Sequence, residues 1–273
     1  MDLSRVLAAM LFLPIFMAGP IIAEVAGETN SEHLAKQLQN PVASLISIPF
    51  QNNFESGLGP AKDGNRYTLR VQPVVPATFN KDWNLITRPI FSYINQQNVI
   101  GATRQNAISD TQIEMFFTPK TVREGDMLWG LGPVFLLPTA AEASLGTEKW
   151  GIGPSACILK QEGHLTIGML ATHLWSIAGN NSRSNISLSY LQPFISHSNN
   201  VGTSINFSSE TNYDWMNGQA TIPLIFGASQ IVPMLGHYFS FSLSGIYNLQ
   251  SSTNTSPWGG RAVVTLLLPE KNK

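Results

Sequence analysis

The segment Val201–Trp215, VGTSINFSSETNYDW, alternates in character from one residue to the next. Its odd positions are Val201, Thr203, Ile205, Phe207, Ser209, Thr211, Tyr213 and Trp215, and its even positions are Gly202, Ser204, Asn206, Ser208, Glu210, Asn212 and Asp214. Successive side chains on a β-strand leave opposite faces, so this segment has one apolar face ending in aromatics and one polar face. Ser209 and Thr211 are its weak points. Strands of soluble sheets run to about five or six residues, whereas a tilted strand needs about nine to eleven to cross a bilayer. The length of the alternation selects the second class, provided that the chain repeats it.

It does. Alternating runs bounded by clusters of glycine, asparagine, aspartate or proline fall near Leu45–Phe54, Arg66–Pro76, Trp83–Asn95, Thr111–Thr118, Met127–Pro138, Lys149–Lys160, His164–Ile177, Asn185–His197, Val201–Trp215, Gln219–Ile231, His237–Asn248 and Gly259–Pro269. Phe239, Phe241, Leu243 and Tyr247 alternate with Ser240, Ser242, Ser244 and Asn248 as cleanly as the opening segment does. Around WGLGPVFLLP and WGIGPSACILK both faces are small or apolar, and the runs there rest on spacing. About twelve antiparallel strands, an even number, return both ends of the sheet to one side, as in bacterial outer-membrane barrels. The connections after the second, sixth and eighth runs are tight, and those after the first, third, fifth and eleventh are longer, the turn-and-loop asymmetry of such a barrel. Residues 120–126 and 230–237 make longer connections than that pattern expects.

The composition suits a two-faced wall. Of 273 residues, 16 are basic and 17 acidic, and mean hydropathy is only +0.03, because a barrel dilutes its lipid face with a polar lumen face. With no basic block and a net charge near zero, nucleic acid is not an expected partner; the lipid bilayer is. The one long apolar run, Met1–Ala23, has Arg5 at its start and a hydrophobic centre at Val6–Ala18 broken by Pro14, the shape of a secretory signal cleaved after Ala23 or Ala26. An anchoring helix is the alternative, disfavoured by length and proline. In residues 24–44, Leu34 and Leu38 stand four apart behind Ser31, which predicts a short helix from near Ser31 to before Pro41. Residues 45–273 would then form the barrel. Cys157 is the sole cysteine, so no internal disulfide forms. The expected fold is all-β: an antiparallel transmembrane β-barrel of about twelve strands with a short N-terminal helix.

Trp83, Trp129, Trp150, Trp175, Trp215 and Trp258 all fall near the ends of runs, which reads as two aromatic girdles at the membrane interfaces. Against the barrel stand Pro49, Pro73, Pro89, Pro133, Pro154, Pro193 and Pro223, which lie inside runs although proline removes a ladder donor and a closed barrel has no edge to tolerate it. They are expected to mark bulges or kinks.

The stretches LAKQLQNPVASLISIPFQNNF, RYTLRVQPVVP, DWNLITRPI, FFTPK, LWGLGPVFLLPTA, LGTEKWGIGPS and LQPFISH together resemble a group of bacterial outer-membrane transporters. That group is related to the phenol-degradation meta-pathway barrel family, and its members are often mislabelled neuromedin U. The resemblance spans Leu34–Pro269 and implies an outer-membrane barrel with a transport role and no defined catalytic set. Barrel-assembly machinery is the expected partner during insertion, although TLLLPEKNK lacks the terminal phenylalanine of many such barrels.

Parity with their neighbours turns Arg70, Gln72, Arg88, Glu114, Asn206, Glu210, Asp214 and Arg261 away from lipid, where a mid-depth charge costs about 2–4 kcal/mol, and into the lumen. Around a twelve-strand ring, the runs of Arg261, Arg70 and Arg88 are close neighbours through the closing seam, with Glu210 and Asp214 roughly opposite. One reading is a transverse field that steers polar or anionic solutes past an arginine wall; the other is charges that pair inside a filled barrel. No GxSxG, HExxH or P-loop occurs, and His164, His173, His197 and His237 scatter over different runs, so no metal, cofactor or enzymatic activity is expected. A Ser/His lipid hydrolase at the rim is the enzymatic alternative. The expected function is passive passage of small molecules of unstated kind through an outer-membrane pore; the alternative is a closed barrel with a structural or surface-interaction role.

Overall fold

A computed structural model describes residues 25–121, 125–250 and 256–269. Helix α1 (Val25–Leu38) is followed by β1 (Ile46–Leu58), β2 (Gly64–Val71), β3 (Val75–Thr78), β4 (Trp83–Gln97), β5 (Arg104–Ile108), β6 (Thr111–Pro119), β7 (Leu128–Leu137), β8 (Lys149–Glu162), β9 (Leu165–Gly179), β10 (Ser187–Ser198), β11 (Thr203–Ser209), β12 (Thr211–Asp214), β13 (Gln219–Met234), β14 (His237–Gln250) and β15 (Trp258–Leu268). The pairs β2/β3, β5/β6 and β11/β12 are each one broken strand. Each strand pairs antiparallel with the next, and β15 pairs with β1, so the sheet closes as a twelve-strand antiparallel barrel. The start of β1 and the end of β15 share one end, here the near end, which also carries the tight turns at 163–164 and 235–236.

The pleat sorts the side chains into two populations. Leu131, Ile167, Phe226 and Leu243 are 52–71% exposed on the outside, whereas Ser196, Ser204, Ser240 and Thr265 are buried inside. A soluble protein rarely exposes apolar patches beyond a few hundred Å², and this skin runs around the whole ring. Polar groups on the outer face satisfy one another. Tyr67 Oη donates to Asn52 Oδ1 at 2.7 Å, the Ser209 and Thr211 hydroxyls are 2.8 Å apart, and His173 Nδ1 lies 2.7 Å from Ser189 Oγ. In lipid an unmatched polar group would cost several kcal/mol, so this pairing makes the outer face compatible with hydrocarbon.

The prolines mark interruptions in the ladder while the register carries on through most of them. Pro73 and Pro89 face each other in the gap between β2 and β3, and the β1–β2 pairing begins only after Pro49. Pro133 and Pro154 sit opposite one another, each beside a gap in the pairing on its other side. Pro193 on β10 and Pro223 on β13 flank the break between β11 and β12, and Pro223 also adjoins a register shift against β14. Neither neighbour offers an N–H there, so Val201–Trp215 forms two strands rather than the single run expected from its alternation. The residue at the break is Glu210.

Two further boundaries differ from expectation. Helix α1 already runs from Val25, because Ser31 does not cap it: Ser31 lies within the helix, buried against Gly202 in the β10–β11 turn, where φ is +77°. The long connection read at 230–237 shrinks to Leu235–Gly236, a two-residue turn with φ of 54° and 74°, the left-handed pair a tight hairpin requires. The leader expected at Met1–Ala23 lies outside the described residues.

Candidate functional site

The interior is a cavity of mixed polar and apolar lining above an apolar plug. Leu34 and Ala35 of α1, with Ala43 and Leu45, pack against Ile231 and Leu267 on β13 and β15. Across the bore, Val42 packs among Ile86, Phe116, Cys157, Leu159 and Leu170 on β4, β6, β8 and β9. The segment 34–45 therefore crosses the near mouth from one wall to the other. The polar ties of this segment and the helix before it include Gln161 Nε2 donating to the Lys36 carbonyl at 2.9 Å, Asn84 Nδ2 donating to Ser44 Oγ at 3.0 Å, and His164 Nδ1 lying 3.4 Å from Glu32 Oε1. Asn40 Oδ1 accepts from the Val42 amide at 3.0 Å and fixes the turn that aims Val42 inward.

Above this floor lies a cavity of about 580 Å³, and Arg70, Gln72, Arg88, Glu114, Asn206, Glu210 and Arg261 all line it. Asp214 does not. It shares the inner face with Leu188, its register partner, but sits at the far end, where its carboxylate accepts from the amides of Met216 and Asn217 and from Asn217 Nδ2 in the turn after β12.

The charges reach one another across the bore. Arg261 Nη1 and Nη2 donate to the two oxygens of Glu210 at 2.5 and 2.9 Å, and Arg261 Nε donates to Asn53 Oδ1 at 2.7 Å. This bidentate pair joins β15 to the break between β11 and β12, three strands away around the ring. Arg88 Nη1 lies 3.2 Å from Glu114 Oε2 on the adjacent strand, where the two residues are register partners. Arg70 Nη1 is 4.0 Å from Glu210 Oε2. Arg261 and Arg88 are thus paired with carboxylates rather than forming a bare arginine wall. Pairing is the favourable outcome for charges held out of bulk water.

The far mouth is narrowed by the β7–β8 loop, residues 138–148, with a 3-10 turn at Ala143–Leu145. Asp110, at the break between β5 and β6, accepts from the amides of Ala140 and Thr147 and from the Thr147 hydroxyl, while Ser109 Oγ donates to the Leu145 carbonyl. Arg183 donates to the carbonyls of Ala143 and Gly146 from the outer side. Leu145 and Thr147 consequently reach the cavity. Asp110, Asn53 and Tyr190, all inward, were missed in the sequence. Asn53 was available from its parity with Gln51, whereas nothing local distinguishes Asp110 from an ordinary turn residue.

All six tryptophans lie towards the ends of strands, Trp175 deepest, four residues before the end of β9. Trp83 and Trp129 meet edge-on at the near end, ring centroids 5.5 Å apart, and Trp150, Trp175, Trp215 and Trp258 are 48–61% exposed at the far end. Trp215 Nε1 donates to Ser189 Oγ at 2.9 Å, and Trp175 packs on His173 at 4.2 Å. Among the described residues no cluster of three or more His, Cys, Asp or Glu side chains could hold a metal ion.

No family model matches the sequence, and no curated protein matches it. Among solved structures, the chain is similar to a COG4313 outer membrane channel from Pseudomonas putida F1, with a TM-score of 0.64 at 10% identity over 82% of this chain and 94% of that one. It is also similar to the NanC porin, with a TM-score of 0.49 at 12% identity over 82% of this chain and 100% of that one. A third is the outer membrane phospholipase A from Escherichia coli, with a TM-score of 0.45 at 10% identity over 82% and 92%. At such identities the likeness concerns the fold alone.

Proposed function

We propose that the protein is an outer-membrane channel for small polar molecules, with residues 25–45 as a removable stopper. The observation that carries this reading is the cavity, lined in part by Arg70, Arg88, Glu114, Glu210 and Arg261, that extends from the stopper to the far-end loop inside a closed barrel. The fold shared with a bacterial outer membrane channel supports it. In this reading the apolar skin faces the lipid bilayer and the six tryptophans mark its two headgroup levels. Met1–Ala23 is removed on export, residues 24–44 carry the stopper helix, and barrel-assembly machinery inserts residues 45–273. The motif resemblance to the phenol-degradation meta-pathway family of transporters belongs to the same reading, and no catalytic residue is assigned.

A permanently closed barrel with a structural role is favoured by one observation: the stopper is docked, with Leu34, Val42 and Leu45 at most 4% exposed. Liposome swelling separates the two. Purified protein and a variant lacking residues 25–41 are reconstituted and challenged with sugars of increasing size. Influx that falls with solute size, faster in the deletion variant, is the expected result. Liposomes that stay tight to the smallest sugar with both proteins would overturn the channel reading.

A further inference from the structure

Within the cavity three guanidinium groups share two carboxylates. Arg261 engages both oxygens of Glu210 and gives its remaining N–H to Asn53, and Arg88 stands against Glu114. Asp110, the other acidic group lining the cavity, accepts from the far-end loop. Arg70 is left over. Its side chain is 36% exposed to the cavity, among the described residues its guanidinium makes no hydrogen bond, and its nearest carboxylate oxygen, 4.0 Å away, already accepts from Arg261. Its register partners are neutral, Gln51 on β1 and Ser92 on β4, and Gln72 follows on the same face. All line the cavity.

We propose that Arg70 is a binding station for a small monoanion of the carboxylate class inside the lumen. A guanidinium presents a planar fork that matches a carboxylate, and here the fork has no hydrogen-bonded carboxylate of its own and stands next to an amide and a hydroxyl able to donate to the same ligand. A cavity of about 580 Å³ admits a compact organic acid with its waters. The station selects by charge, while Gln51, Gln72 and Ser92 add tolerance for hydroxyl or carbonyl substituents. The paired arginines do not compete, because an anion there would have to displace Glu210 or Glu114. Its role in solute passage rests on the channel reading above; the binding itself does not.

The test uses the full mature chain in detergent, with acetate as probe, read by saturation-transfer NMR. The wild type and Arg70→Lys bind acetate, and Arg70→Gln binds it about tenfold more weakly, the factor expected for removing one nearby charge from a partly shielded site. Heat-modifiable migration on gels confirms that each variant is folded. Acetate bound equally by Arg70→Gln, or not bound by the wild type, overturns the station. In planar bilayers under a KCl gradient, the wild type prefers anions and Arg70→Gln loses that preference. Conductance with no anion preference in the wild type also overturns the station. Absence of any conductance overturns the channel reading instead, and the acetate measurement still decides on Arg70.

Discussion

Val42 is the point at which the stopper can be loosened with least disturbance to the wall. It is 4% exposed and shares one buried cluster with Ile86, Phe116, Cys157, Leu159 and Leu170, none more than 3% exposed, and these belong to the barrel while Val42 does not. Val42→Ala removes two methyl-sized groups, about 1.6 kcal/mol at about 0.8 kcal/mol for each, and more where the space left behind fails to close. That corresponds to about a tenfold or somewhat greater rise in the ratio of undocked to docked stopper. Val42→Asp places an unpaired carboxylate among apolar groups, at a cost of several kcal/mol, which withdrawal of the segment into water relieves. Single-channel recording in planar bilayers should therefore rank the open fraction as wild type, then Val42→Ala, then Val42→Asp, with gel mobility showing that the barrel is intact. A folded Val42→Asp protein as closed as the wild type, or an inverted order of the two variants, would refute the assignment of this segment as a displaceable stopper.

Three other outcomes are expected. Gly130→Ala places a Cβ 2.9 Å from Val42 Cγ1 and 3.0 Å from the Phe116 Cβ, so it should raise the open fraction from the wall side, measured in the same recordings. Glu210→Gln leaves Arg261 facing a neutral amide; breaking a buried pair from one side costs about 3–5 kcal/mol, toward the lower figure where the cavity admits water, and should lower the temperature of heat modification. The Lys36 hydrogen bond, with the charges of Lys36 and His164, holds the Glu32 carboxyl below its ordinary 4.5. A depressed carboxyl contributes stability above its unfolded value that is lost as pH falls through the folded one. Limited proteolysis of α1 should accordingly accelerate as pH drops below 4.5, and Glu32→Gln should flatten that dependence.

The barrel was legible because its wall is periodic. Each expected run overlaps one of the twelve strands when the broken pairs are counted as one, even where WGLGPVFLLP and WGIGPSACILK offered no alternation, since turn spacing there carries the same information; Arg104–Ile108, the first half of a broken strand, fell in no run. Alternation assigns an inward direction to Arg70, Arg88, Glu114, Glu210 and Arg261, because a pleat fixes facing without knowledge of the partner strand. What it could not give was distance across the bore. Glu210 and Arg261 lie 51 residues apart and three strands around the ring, so a transverse field and a salt bridge share one parity pattern, and only closure geometry separates them. The stopper was hidden for a related reason: the apolar residues of 34–45 look like those of any short amphipathic helix until Ile231 and Leu267 are known to face them.

The closing strand has a second duty that bears on how the molecule forms. Leu267, fully buried near the end of β15, belongs to the socket that receives Leu34, Ala35 and Leu45. The segment made earliest among the described residues therefore has no complete seat until nearly the last one is in place and zipped to β1. Contacts this distant along the chain are slow to close, so the seating of the plug is tied to the final seam.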